Sequence, residues 1–97
     1  MHNNENLIEE MFSSKGRVRV LRMLIKNQEL NISEIARKTR LSHTSVEEHL
    51  EKLCKTNIVT EKRFGRIRIF KFNENNPIAK IIKEMFNKIE EVLEETK

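Results

Sequence analysis

ELNISEIARKTRLSHTSVEEHLEKL, residues 29–53, is the stretch on which the fold turns. Ser33 places a side-chain acceptor just before Glu34 to Thr39, about two helical turns with Ile35 and Ala36 on one face, so the segment predicts a short capped helix. Leu41 fills the turn that follows. Ser42 then offers its hydroxyl to the orphan amides of a second helix, Thr44 to about Lys55, where Val46, Leu50 and Leu53 recur at i, i+4 and i+7. Ahead of both, Leu30-Asn31-Ile32 has room only for a strand stub. A short helix and a tight turn hold the longer helix proud of the body.

Upstream, Leu7, Ile8, Met11 and Phe12 share one face of a helix from Asn6 to Phe12. Ser13, Ser14 and Gly16 interrupt it. Ser14 is the expected N-cap of a helix from Lys15 to Asn27, which should bury Val18, Leu21, Leu24 and Ile25 and turn Lys15, Arg19, Arg22 and Lys26 outward. Downstream, Ile58–Arg63 and Arg66–Asn73 are β-prone runs about Phe64-Gly65, a hairpin signal in which glycine supplies positive φ. Phe70 and Phe72 share a face with Arg66 and Arg68, while Ile67 and Ile69 point the other way. Pro77 suits the first turn of a last helix, where its missing N–H is no loss. Ile78, Ile81, Ile82, Met85, Phe86, Ile89, Val92 and Leu93 fall there in one arc of roughly 140°, with every charge outside it.

The chain has 97 residues, enough for one domain. Charged residues are 35% and hydrophobic ones 37%, a globular balance. The apolar runs are short, as in Val20–Ile25 with Arg22 inside it, and no basic-then-apolar leader opens the chain, so a cytoplasmic location is the default expectation, with no membrane partner. Cys54 is the one cysteine, which excludes a disulfide framework. The net charge is +4, and it is unevenly spread. Residues 1–72 carry 15 Lys/Arg against 9 Asp/Glu, a net +6; residues 73–97 carry 4 against 6, a net −2. The basic part suits an anionic partner.

Helix, helix, strand stub, short helix, turn, longer helix and basic hairpin is the order of a winged helix-turn-helix. The expected fold is therefore mostly α with a small β-hairpin wing: a single domain over 1–97, a DNA-binding core over 14–73, and terminal helices in 1–13 and 76–97. Glu29–Ala36 and Leu41–Leu53, with Gly65–Asn73 as the returning wing strand, resemble the ArsR-type family of small archaeal and bacterial regulators. The resemblance covers about residues 15–73. It implies a DNA-binding transcriptional regulator that represses, with the terminal helices where that family dimerises. Metal-sensing members carry a Cys-x-Cys pair at the start of the short helix. The corresponding residues here are Asn31 and Ser33, neither a soft ligand, and the terminal helix has no His or Cys. Neither a metal effector nor a cofactor is expected.

The start of the recognition helix supplies Ser42, His43, Thr44 and Ser45 for phosphate or base contact in a major groove about 12 Å wide. Glu48 either accepts from a cytosine amine, repels phosphate, or belongs with Glu47 and Glu51 to a solvated face paired with Lys52 and Lys55. Lys62, Arg63, Arg66 and Arg68 crowd a glycine turn and are expected on phosphate or in the minor groove, with Arg37, Lys38, Arg40 and Lys52 as further contacts. His2 is expected in a frayed terminus, and His49, beside the inward stripe, as a packed, hydrogen-bonded residue. Cys54 is expected at the core edge, with no neighbour in sequence to support redox sensing. Leu7, Ile8, Met11, Phe12, Ile78, Ile82, Met85, Phe86, Ile89, Val92 and Leu93 are the expected homodimer surface, because about 60 residues of body cannot cover them all. The chain has no phosphate loop, no HExxH and no nucleophile with a base, so no enzyme is expected. Two alternatives remain: a winged-helix protein-interaction module, and a sequence-tolerant chromatin-type DNA binder. Four clustered wing cations oppose the first. An aromatic content of 5% opposes a stacking platform for single strands.

Overall fold

A computed structural model describes residues 6–96. His2 and the beginning of the 1–13 segment lie outside the described residues. The elements run α1 (Leu7–Met11), α2 (Lys15–Lys26), β1 (Leu30–Asn31), α3 (Ile32–Thr39), α4 (His43–Lys55), β2 (Val59–Phe64), β3 (Ile67–Phe72) and α5 (Pro77–Glu95). Several boundaries have a local chemical cause. The Ser14 hydroxyl accepts from the Arg17 amide and starts α2. At the head of α3, Asn31 Oδ1 accepts from the Glu34 amide (2.8 Å) and Glu34 Oε1 accepts from the Asn31 amide (2.9 Å). This reciprocal box satisfies two backbone donors at once. It also corrects the expected cap: the helix begins two residues earlier, and Ser33 lies inside its first turn. Arg40 ends α3 in the left-handed region at φ 63°, its amide donating to the Ala36 carbonyl.

The strands form a sheet in the order β1-β3-β2, antiparallel throughout. The stub is real, pairing Leu30 with Phe70 and Asn31 with Ile69. Phe64 pairs with Ile67, so the turn is Gly65-Arg66, one residue later than Phe64-Gly65. Gly65 holds φ 63° there. Arg66 accordingly stands in the turn, and it does not share the strand face of Arg68, Phe70 and Phe72.

The core gathers Val20, Leu21 and Leu24 of α2, Ile35 of α3, Leu50 and Leu53 of α4, and Phe70 of β3. The buried face of α2 differs from the expected one. Val18 and Ile25 are only half-buried, whereas Arg17 and Val20 are inside. The helix is rotated so that its Arg17 flank meets α1 and α4, leaving Val18 on a shallow crevice toward α5. Beyond α4, Asn57 turns the chain at φ 63°, and its carbonyl accepts from the side-chain amides of Asn73 (2.8 Å) and Asn76 (3.1 Å). Asn76 also caps α5. Ala79 and Ile82 anchor that helix in the core.

Candidate nucleic-acid interface

Val46, Leu50 and Leu53 pin one face of α4 into the core, which forces its opposite face and its amino-terminal end outward. Ser42 caps the helix, its Oγ accepting from the Ser45 amide and donating to Ser45 Oγ, both at 3.1 Å. His43 and Thr44 are exposed to solvent; Ser45 is half-buried and its hydroxyl is already engaged. Glu48 and Glu51 are exposed and have no ion-pair partner among the described residues, so the expected pairing with Lys52 and Lys55 is absent. Lys52 instead reaches Glu10 of α1 at 3.6 Å.

The wing stands beside this helix start. A crevice of about 250 Å³ is bounded by Ser33, His43 and Glu47 on the helical side and by Arg66, Ile67 and Arg68 on the wing side. The four wing cations, alike in sequence, are not alike in place. Arg68 binds Glu61 through Nε (2.6 Å) and Nη2 (3.3 Å), reaches Glu47 of α4 at 3.5 Å, and lies 5.2 Å over the Phe70 ring. That fork holds the Glu61 carboxyl below its usual range, the Arg68 hydrogen bond being the largest cause, and raises Arg68 in return. Arg63 shares Glu61 at 3.2 Å, and Lys62 faces Glu29 at 3.7 Å. Arg66 alone of the four is exposed without an ion pair among the described residues. Arg37, Lys38 and Arg40, in α3 and the turn before Ser42, are also exposed and without one.

Behind the helix start lies a cluster that sequence reading missed. Arg17 is only 7% exposed. Its guanidinium donates to the Glu10 carbonyl, pairs with the Glu10 carboxylate at 3.0 Å, and donates from Nε to His49 Nδ1 at 3.3 Å. His49 is therefore packed and hydrogen-bonded, as its position beside the stripe predicted. As an acceptor it must be neutral, with its proton on Nε2. Burial first, and the Arg17 charge second, push its pKa down. Cys54 is half-buried at the core edge, and burial pushes its thiol up, away from the reactive thiolate. No group of three or more metal-ligating side chains gathers among the described residues.

The terminal helices come together through Phe12 and Phe86, whose rings are 6.3 Å apart. Of the expected dimer residues, Met11 and Ile82 lie inside the protomer's own core, because the start of α5 docks there; a partner could not reach them. Ile8, Phe12, Ile78, Met85, Ile89, Val92 and Leu93 are exposed, together with Ile81.

Residues 14–61 match the model of the family described as bacterial regulatory protein, arsR family. This core is of the ArsR type. Solved structures share the fold across nearly the whole chain. HlyU from Vibrio cholerae N16961 superposes with a TM-score of 0.75 at 22% identity, covering 92% of this chain and 97% of its own. NolR from Sinorhizobium fredii gives 0.73 at 22%, covering 88% and 81%. The transcriptional repressor PagR of Bacillus anthracis gives 0.70 at 23%, covering 86% and 91%. No curated protein matches the chain by sequence. The matched family is one of regulators and not of enzymes, in keeping with the missing catalytic motifs. No described helix is long and apolar enough to cross a membrane.

Proposed function

We propose that this ArsR-type protein is a sequence-specific, double-stranded-DNA-binding transcriptional regulator that represses as a homodimer. The observation that carries the reading is the juxtaposition at the helix start: exposed His43 of α4 faces Arg66 of the wing turn across one crevice, with exposed Thr44 beside His43 in the chain and Arg37, Lys38 and Arg40, without ion pairs among the described residues, just ahead of it. The α4 start enters the major groove and reads base edges, while the wing and the α3 cations bind phosphate or the neighbouring minor groove. Pairing two copies through α5 and the α1 face would cover the exposed apolar row and set two recognition helices about 34 Å apart, one DNA turn.

The test is selection of duplexes from a random pool, followed by competition between selected and scrambled sequences at several salt concentrations. Selected duplexes should bind at least about a thousandfold more tightly. Sedimentation at micromolar concentration should give twice 11.6 kDa. Equal affinity for selected and scrambled duplexes would remove the claim of sequence specificity, and a monomer in sedimentation would remove the dimer.

A further inference from the structure

Most exposed large apolar side chains belong to the α1 and α5 surface; Phe64, 62% exposed, and Ile67, 55% exposed, do not. They are directly opposed across the β2–β3 ladder, as the last pair before the Gly65-Arg66 turn. The register puts them on the sheet face opposite Phe70 and Phe72, so the core cannot claim them. A Cβ added at Gly65 would meet no atom within 4 Å, which shows the tip standing clear of the body. Around the pair are Lys62, Arg63 and Arg66; residues 62–68 contain no acid, and the acids that reach these cations are Glu29 on Lys62 and Glu61 on Arg63, which leaves Arg66 without an ion pair among the described residues. An apolar pair ringed by cations at a free hairpin tip complements a surface whose rim is anionic and whose interior is flat and apolar. Duplex DNA takes on that character where a base step opens at a groove: phosphates stand outside, and the flat apolar base faces, otherwise stacked on one another, become accessible within.

We propose that Phe64 and Ile67 form an apolar wedge that enters the minor groove of duplex DNA and partly unstacks a base step. The wedge rests on the DNA-binding reading above. Opening a step is easiest at flexible pyrimidine–purine steps and hardest in stiff A-tracts, so the wedge discriminates between duplexes of identical base composition. Arg66, without an ion pair among the described residues, holds the tip on the phosphates, and Lys62 can exchange its long, exposed contact with Glu29 for one, while the apolar pair does the opening.

The chain has no tryptophan, so Phe64→Trp places a single reporter at the tip. Full-length protein is titrated with two duplexes, alternating poly(dA-dT), rich in TpA steps, and poly(dA)·poly(dT), which has none. The Trp emission should be quenched on the alternating duplex. The Phe64→Ala/Ile67→Ala variant should lose about tenfold or more of its affinity there, the effect of leaving a Phe side chain in water. It should stay within twofold of wild type on the homopolymer, with an unchanged salt slope because no charge is removed. Both residues are exposed, so its melting temperature should match wild type, and Phe64→Leu should keep most of the alternating-duplex affinity. Unquenched Trp together with wild-type affinities would overturn the wedge while leaving DNA binding in place. So would conversion of a dimer to a monomer by the double substitution, which would make the tip a protein contact. Wild-type protein that binds neither duplex would overturn the DNA-binding reading and the wedge with it.

Discussion

Gly16→Ala is the substitution whose outcome depends most directly on the cluster behind the recognition helix. Gly16 is the second residue of α2, and on helix propensity alone alanine there should stabilise by up to about 1 kcal/mol. A Cβ at that position, however, would sit 2.8 Å from His49 Nε2. The ring cannot retreat freely, because its Nδ1 accepts from the Nε of buried Arg17. Moving it leaves that donor without its acceptor, at about 1–3 kcal/mol for a buried group. The clash outweighs the propensity, so Gly16→Ala should destabilise by about 1–2 kcal/mol, a fall in Tm of about 5–15 °C for a domain of this size. Urea and thermal unfolding at fixed protein concentration measure it, since the proposed dimer would make Tm concentration-dependent. The same change made in a His49→Ala background meets no ring and should be neutral or stabilising by a few tenths of a kcal/mol, giving a coupling of opposite sign. If Gly16→Ala raises Tm in the wild-type background, His49 does not pack on α2 as described.

Five further outcomes follow from the sequence and the structure. His49 has a lowered pKa, so the unfolded chain binds its proton more readily; the stability it contributes is present above pH 6.5 and lost as pH falls through the folded value, giving a Tm decline between pH 7.5 and 5.5 that His49→Gln should flatten. Glu10, Glu61 and Glu74 are also lowered, and they should act only in the more acidic range below about pH 4.5. Asn31→Ala removes the α3 capping box and should cost about 1 kcal/mol by urea unfolding, whereas Ser33→Ala should stay within about 0.5 kcal/mol. Arg66→Ala should make the log–log salt slope of DNA binding shallower by about 0.9 with Tm unchanged, while Arg68→Ala should lower Tm by releasing Glu61 and the wing. Zinc, cadmium or arsenite should leave DNA affinity within about twofold, well short of the roughly 1–3 kcal/mol of typical allosteric coupling.

What the sequence made legible was whatever depends on near neighbours. The α4 stripe of Val46, Leu50 and Leu53 and the Ser42 cap are read within one helix, and the structure has both. Ser33 is the cap the local pattern offers for α3, because Leu30-Asn31-Ile32 reads as a strand stub; in the structure Asn31 both ends β1 and caps the helix. The deciding signal was present: Glu34 lies three residues after Asn31, the spacing of a reciprocal box. Arg17 was missed for a different reason. Arginine is seldom buried, and its partners lie seven residues before it and 32 after it, beyond any local pattern. The wing cations were legible as a cluster, but Glu29 and Glu47, which occupy two of them, come from distant segments.

That separation of the wing charges sets an order in which they can answer to DNA. Lys62–Glu29 and Lys52–Glu10 are long, exposed pairs, each worth little in water and screened by salt. A phosphate arriving nearby can take either lysine at small loss. Arg68 differs in kind: two oxygens of Glu61, the Glu47 carboxylate of α4 and the Phe70 face all hold it. Removing it from them would leave Glu61 without its main counterion on the inner face of the wing. Arg68 therefore ties the wing to α4 and fixes the angle between them, and on the proposed DNA-binding reading Arg66 is the wing cation free to meet phosphate at no internal loss. Counting basic residues in the hairpin overstates the phosphate contacts it can make; the ion pairs already formed in the folded protein decide which of them remain.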